Sequence, residues 1–273
     1  MVEFTKHMAE LLLKDETTGK PIYKAMGDTE EEFYEPMTAE KGMEGRRYGE
    51  LNRKEQKGRS AQKAEVYTPL KAVRQMTDLI WKDPKNHAPS FRWLEITCGS
   101  APFITTLYDS YSLEPVPEKE RAGILDRKFR EIAPIDSNAE WLPLAILSLS
   151  SVYGYEWQGE SLFWARRNVL TCFLEAYEKR YEEMPPDRLL ERICEIIRWN
   201  FWQMDGLSGC LPDFHKNGAE LGRANMKSAK AKKAFYADLT PCLIKDWSTG
   251  EVGKFLDLLH DGDPKQPKQA ALL

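Results

Sequence analysis

Three carboxylates stand in or just after short apolar runs: Glu95 in "RWLEITCGS", Glu156 in "VYGYEW" and Asp205 in "WNFWQMDG". An acid at the mouth of a core accepts hydrogen bonds from a ligand's hydroxyl or amino groups, and at the end of a strand it can take both hydroxyls of a ribose. The turn after the first acid, Cys98-Gly99-Ser100-Ala101, is small enough for a sugar or an amino-acid group to lie against its backbone. The G-x-G-x-x-G spacing of a dinucleotide phosphate cradle is missing. Taken singly, each acid reads as well as a helix cap or a salt-bridge partner. A site requires all three to reach one crevice.

That requires the three runs to be neighbouring strands. "FRWLEIT", "VYGYEW" and "WNFWQMD" read as strands, and helical periodicity fills the spaces between them. Leu70, Val73, Met76, Thr77 and Ile80 mark a helix opened by Pro69, with Thr68 as its expected cap. "EKERAGILDRKFREIA", "NAEWLPLAILSLSSVYG", "GESLFWARRNVLTCFLEAYEKRYEEM" and "DRLLERICEIIR" read as further helices. Strands alternating with helices predict an α/β fold on a parallel sheet, whose ligands bind at the carboxyl ends of the strands. Glu95 and Glu156 lie 61 residues apart, whereas a strand-helix-strand unit needs only about 30. A helical insertion at about 115–150 is therefore expected between the first two strands.

The 273 residues are 42% apolar and 11% aromatic, enough to fill a core, and the net charge of −4 argues against a uniformly basic nucleic-acid coat. No apolar run approaches the roughly 20 residues of a membrane span, and the N-terminus has no signal-peptide core, so the expectation is a cytoplasmic protein with no membrane partner. The five cysteines are scattered without C-x-x-C spacing, which points to reduced, buried thiols and not to a metal site. Residues 1–63 read as a charged N-terminal extension, beginning with an amphipathic helix (Phe4, Met8, Leu11, Leu12), residues 64–260 as the α/β domain and 261–273 as a polar tail. Segments 41–63 and 215–236 each carry a net charge of +5, and Lys227, Lys230, Lys232 and Lys233 in the second are candidates for neutralising DNA phosphates. Solvated surface is the commoner fate of such runs.

At these residues the sequence resembles the S-adenosylmethionine-dependent DNA adenine-N6 methyltransferases of restriction-modification systems. "EITCGSAPF" is similar to the family's cofactor motif, in which an acid is followed by Pro-Ala-Cys-Gly-Ser-Gly-x-Phe; Glu95, Cys98, Gly99, Ser100 and Phe103 match, while Ala101 replaces the second glycine. "EVYTPLKAVRQM" resembles the Tyr-Thr-Pro segment that contacts the methionine end, through Tyr67, Thr68 and Pro69. "YGYEWQGESLFWARRN" resembles the acidic motif that binds the ribose, with Glu156 as the acid and with Ala165 and Asn168 in the following helix. "NFWQMDGL" resembles the next motif, in which Asp205 would meet the adenine amino group.

The resemblance implies a Rossmann-like methyltransferase sheet that takes S-adenosylmethionine as cofactor and DNA as partner. Its cofactor-binding residues would be Tyr67, Thr68, Pro69, Glu95, Thr97, Cys98, Gly99, Ala101, Phe103, Glu156, Trp157, Asp205 and Gly206. The family's Asn- or Asp-Pro-Pro-Tyr tetrapeptide, which holds the flipped base, does not occur; the only Pro-Pro pair, Pro185-Pro186, lies in a helix-helix linker. Two readings follow from that gap. One is a non-catalytic cofactor- or DNA-binding subunit. The other is half of a split enzyme, whose partner, or a restriction or specificity subunit, supplies the rest.

Overall fold

Alternation of side chains along three short strands decides the layering of this protein. In the computed structural model, which describes residues 4–22, 67–109, 114–206, 208–212 and 239–260, β1 (Trp93–Ile96), β2 (Val152–Glu156) and β3 (Phe201–Gln203) form a parallel sheet in the order β1-β2-β3. Trp93 pairs with Val152, Glu95 with Gly154, Gly154 with Phe201 and Glu156 with Gln203, so these residues share one face. Leu94, Ile96, Tyr153, Tyr155 and Trp202 share the other.

The first face is covered by helices. β1 leads through α3 (Ile124–Ile132) and α4 (Asn138–Ser150) to β2, and β2 leads through α5 (Gly159–Tyr181) and α6 (Asp187–Asn200) to β3. Their apolar stripes meet Val152 and Phe201 in one core. The expected insertion between the first two strands is thus the α3–α4 pair, preceded by a 3₁₀ turn at Glu118–Glu120. The second face packs Tyr153, Tyr155, Trp202 and Met204 against Cys242, Ile244 and Phe255. Ile244 lies on β4 (Leu243–Lys245), which pairs antiparallel with β5 (Val252–Lys254); Cys242 immediately precedes β4 and Phe255 opens α7 (Phe255–His260).

Two N-terminal helices complete the described body. α1 (Lys6–Leu13) is capped by Thr5, whose hydroxyl accepts from the Met8 N–H, and buries Met8, Ala9, Leu12 and Leu13 in the same core as α5 and α6. The amphipathic pattern of this stretch therefore marks a core helix: residues 4–22 belong to the α/β body and are not an extension from it. α2 (Leu70–Trp81) precedes β1. The expected Thr68 cap is not formed; Pro69 is the N-cap residue and no side chain caps the helix. Instead α2 is tied sideways to the insertion. Arg127 donates to Thr77 Oγ1 (3.1 Å) and pairs with Asp78, and Arg74 donates to the Glu120 carbonyl.

Two cations are sunk in this scaffold. Lys128 of α3 is fully buried and donates to the Pro89 and Phe91 carbonyls and to Ser151 Oγ, pinning the entry of β1 to the entry of β2. Burial pulls its ammonium down to about 7, while three acceptors match its three N–H donors. Arg166 of α5 is equally buried and binds only backbone carbonyls. No helix among the described residues is long and apolar enough to cross a membrane.

Candidate functional site

The site begins where β1 stops. Cys98 N–H still follows the ladder, donating to the Tyr155 carbonyl at 2.9 Å, but the next residue leaves it: Gly99 N–H donates to Glu156 Oε2, also at 2.9 Å. The other oxygen of Glu156 accepts from the N–H groups of Trp157 (2.9 Å) and Gln158 (3.0 Å), which lead into α5. One buried carboxylate thus joins the carboxyl end of β1 to that of β2 and satisfies amides at the start of α5. Asn168, one of the residues noted in the helix after Glu156, donates from Nδ2 to the Ser100 carbonyl at 3.0 Å and holds the far side of the turn.

The backbone of the turn is unusual. Thr97, Gly99 and Ala101 all have positive φ, at 53°, 55° and 62°. Only glycine adopts this region without penalty, and a β-branched residue such as Thr97 is an outlier there. Strain of this kind persists where the surroundings over-determine the conformation, and it clusters at binding sites. Here the surroundings are Glu156, Asn168 and the loop that follows. Ile124 and Leu125 N–H groups of α3 donate to the Phe103 and Ile104 carbonyls, and the buried Asp126 carboxylate accepts from Thr105 Oγ1, Thr106 N–H and Gly123 N–H. A side chain at Gly123 would strike the Ile104 carbonyl, so glycine is required at that crossing.

Ala101 stands where the related motif has glycine, and its methyl is fully buried. Ala101→Gly exchanges left-handed strain of about 1–2 kcal/mol for a lost methyl contact of about 0.8 kcal/mol and a more flexible unfolded chain. Its expected effect in urea titration is near zero. Ala145→Gly, equally buried but inside α4, is expected to cost about 2 kcal/mol. Equal losses at the two positions would contradict the strain.

On β3, Met204 N–H donates to the Glu156 carbonyl at 3.0 Å, which carries the chain one step past the strand to Asp205. Asp205 is buried and opens a turn: its Oδ2 accepts from Ser208 Oγ at 2.9 Å and its carbonyl from the Ser208 and Gly209 N–H groups. Gly206 lies under the Tyr155 ring, where a Cβ would sit 2.8 Å from Cε2. Burial, with the Asp205 carboxylate adding to it, raises the Tyr155 phenol above its ordinary value. Tyr155 was not among the candidate residues. Its place in an alternating strand reads as core, and only the turn at Asp205–Gly206 brings the ring to the site.

Glu95 completes the acids, on the same face as Glu156 and two residues before Thr97. Cys98 lies near both: burial first, then Glu156 and Glu95, hold its thiol well above its ordinary value, so it is an inert filler and not a nucleophile. All five cysteines are free and buried.

The chain matches no protein-family model, no curated protein and no solved structure.

The expected residues thus fall into three groups. Thr97, Cys98, Gly99, Ala101, Glu156, Trp157, Asp205 and Gly206 meet at the carboxyl edge of the sheet, with Glu95 just inside it and Phe103 on the loop beyond. Tyr67, Thr68 and Pro69 are half-buried immediately before α2. Lys227, Lys230, Lys232 and Lys233, like the whole basic segment 41–63, lie outside the described residues.

Proposed function

We propose that the chain binds S-adenosylmethionine at the carboxyl ends of β1, β2 and β3 and is a DNA methyltransferase-like protein of the adenine-N6 type. The observation that carries this reading is the Glu156 carboxylate bound to Gly99 N–H across the ends of β1 and β2. It stands beside a turn held in left-handed backbone conformations at three alternate residues. Supporting it, β3, β2 and β1 follow one another as in one half of a doubly wound nucleotide-binding sheet, whose ligands lie at this edge.

In this reading Glu156 takes the ribose hydroxyls, Asp205 takes the adenine amino group and Trp157 covers the base. The methionine part lies along the Gly99–Ala101 backbone toward Tyr67, Thr68 and Pro69. DNA would be drawn by the basic segments. A second reading, a cofactor-binding subunit or half of a split enzyme, is favoured by the lack of an Asn/Asp-Pro-Pro-Tyr tetrapeptide in the sequence. β1 also has a neighbour on one side only among the described strands, with Ile96 64% exposed.

Calorimetric titration of S-adenosylmethionine and S-adenosylhomocysteine into the purified chain tests the cofactor. Micromolar binding is expected, weakened at least tenfold by Asp205→Ala. A folded protein that binds neither compound would leave the motif residues as scaffold only. Methyl transfer to adenine-containing duplex DNA separates the enzyme from the subunit reading: transfer by the chain alone would exclude the second.

A further inference from the structure

The hairpin on the second face of the sheet leaves part of that face uncovered. Ile244 on β4 pairs with Gly253 on β5, so the two positions face the same way, and Ile244 joins Tyr153 and Trp202 in the second core. Beside it Gly253 adds nothing: a Cβ there would meet no atom within 4 Å. Gly253 does not have a left-handed φ, so the backbone does not demand glycine. A glycine inside a strand then marks a place where a ligand or another backbone comes close. The space is a cavity of about 420 Å³ between the hairpin, α7 and the start of β1 and β2, within the roughly 300–1,000 Å³ of small-molecule sites. Arg92 immediately precedes β1 and Tyr153 is the second residue of β2, so the cavity lies at the opposite end of the strands from Glu156.

One polar group is buried here without a partner. Tyr153 is 5% exposed and lines the cavity, and its hydroxyl forms no hydrogen bond with another described residue. An enclosed hydroxyl of this kind costs stability, and phenylalanine would fill the same core volume without that cost. Charges of opposite sign flank it. Burial pushes the phenol up to about 12, while Arg92 opposes the rise and Asp246 adds to it, so at neutral pH the hydroxyl is a neutral donor beside a cation and an anion. Asp246 is set in place by the hairpin turn, its Oδ1 accepting from the Ser248 N–H at 2.7 Å and from the Ser248 hydroxyl. Ile244, Val252 and Leu258 supply apolar wall, and Glu251, Lys254 and Asp257, all exposed, give the mouth mixed charge. Lys245 is occupied by Glu195 at 2.9 Å and by the Trp199 and Trp247 rings.

We propose that this cavity binds an apolar α-amino acid. Its carboxylate takes the Tyr153 hydroxyl and the Arg92 guanidinium, its ammonium meets the Asp246 carboxylate, and its side chain fills the space over Gly253 between Ile244, Val252 and Leu258. The charges select this class of ligand. A lone anion would be repelled by Asp246 and a lone cation by Arg92, whereas a zwitterion whose two charges share one carbon meets both. Occupancy would also tie the start of β1 and β2 to the hairpin and stabilise the fold by mass action. The site stands independently of the cofactor reading, because neither Tyr153 nor Gly253 belongs to the crevice at the carboxyl edge.

Calorimetric titration of L-leucine and L-phenylalanine into the purified chain tests the proposal, with wild type, Tyr153→Phe and Gly253→Leu side by side. Urea titration checks the folding of both variants. Near-wild-type stability is expected, since Tyr153→Phe removes no hydrogen bond to a described residue and leucine at 253 enters open space. At least one of the two amino acids should bind wild type with a millimolar or tighter Kd. Tyr153→Phe should weaken that binding about tenfold or more, by the loss of a hydrogen bond to a charged group, and Gly253→Leu should abolish it. Analogues that lack one charge, isocaproate and isoamylamine for leucine or hydrocinnamate and phenethylamine for phenylalanine, should bind far more weakly than the parent amino acid. Three results would each overturn the proposal: no binding of either amino acid to folded wild type, unchanged affinity in either variant, or equal affinity for an analogue with one charge.

Discussion

Arg166→Met is expected to destabilise the protein by about 3–5 kcal/mol, with α1 the first element to loosen. The guanidinium has no solvent exposure. Its Nε donates to the Phe201 carbonyl at 2.8 Å, Nη1 to the Leu12 and Lys14 carbonyls at 2.5 and 2.8 Å, and Nη2 to the Arg198 carbonyl at 3.4 Å. Leu12 and Lys14 end α1, while Arg198 and Phe201 mark the end of α6 and the start of β3. The charge therefore lies against carbonyls that helix C-termini leave without intrahelical donors. Arg198 adds a second tie, donating to the Leu11 carbonyl at 3.0 Å and pairing with Glu16.

An eight-residue helix is marginal without tertiary partners, so α1 depends on these contacts and on its four buried side chains. Methionine leaves several buried carbonyls unpaired. Burial pulls Arg166 down to about 10, which still leaves it charged at neutral pH. Arg166→Lys keeps the charge but not the planar fork, and should recover less than half of the loss. Urea titration gives the magnitude, and amide hydrogen exchange of residues 8–13 locates it. Loss spread evenly over the protein, with α1 no faster than α5, would show that the arginine does not fasten this helix in particular.

The second large effect is expected at Glu156. Glu156→Ala removes an acceptor from three N–H groups, those of Gly99, Trp157 and Gln158. Hydrogen bonds to a charged acceptor contribute about 1.5–3 kcal/mol each, and water can reach part of the emptied space, so a total of about 3 kcal/mol is expected. In the proposed function the same change abolishes S-adenosylmethionine binding, because it removes the ribose acceptor and frees a strained turn. Glu156→Gln separates the two roles. It keeps the volume and one oxygen, but its amide nitrogen must face a backbone N–H. It should fold with about half the loss of the alanine variant and still bind at least tenfold more weakly than wild type. Calorimetry beside urea titration reads both quantities. Wild-type affinity in a folded Glu156→Gln protein would assign Glu156 to the scaffold alone.

Glu156 and Arg166 differ in how far local sequence specifies their roles. Glu156 was legible because strand patterns are local: the alternation in "VYGYEW" and the acid at its end identify the element and the edge, and the small-residue turn after Glu95 identifies the facing element. The same holds for α2 to α6, whose apolar spacing repeats within a few turns, and for the helical insertion, which follows from counting residues between strands. Periodicity also marked α1 as amphipathic, but it could not say what the apolar stripe faces.

The remainder was set by contacts far apart in sequence. Arg166 meets Leu12 and Lys14 across more than 150 residues, and Lys128 meets the Pro89 and Phe91 carbonyls. Both read as ordinary surface charges in one dimension, because a charge looks the same in a sequence whether water or carbonyl oxygens solvate it. That Glu156 spends its carboxylate on backbone amides, that Glu95 comes to be enclosed beside Trp93 and that Ala101 takes a left-handed φ are likewise products of the closed structure. Local spacing by itself determined which elements form and which acids sit at one edge of the sheet. Burial and backbone geometry, which exist only once the layers have packed, decided which of those acids holds the scaffold together.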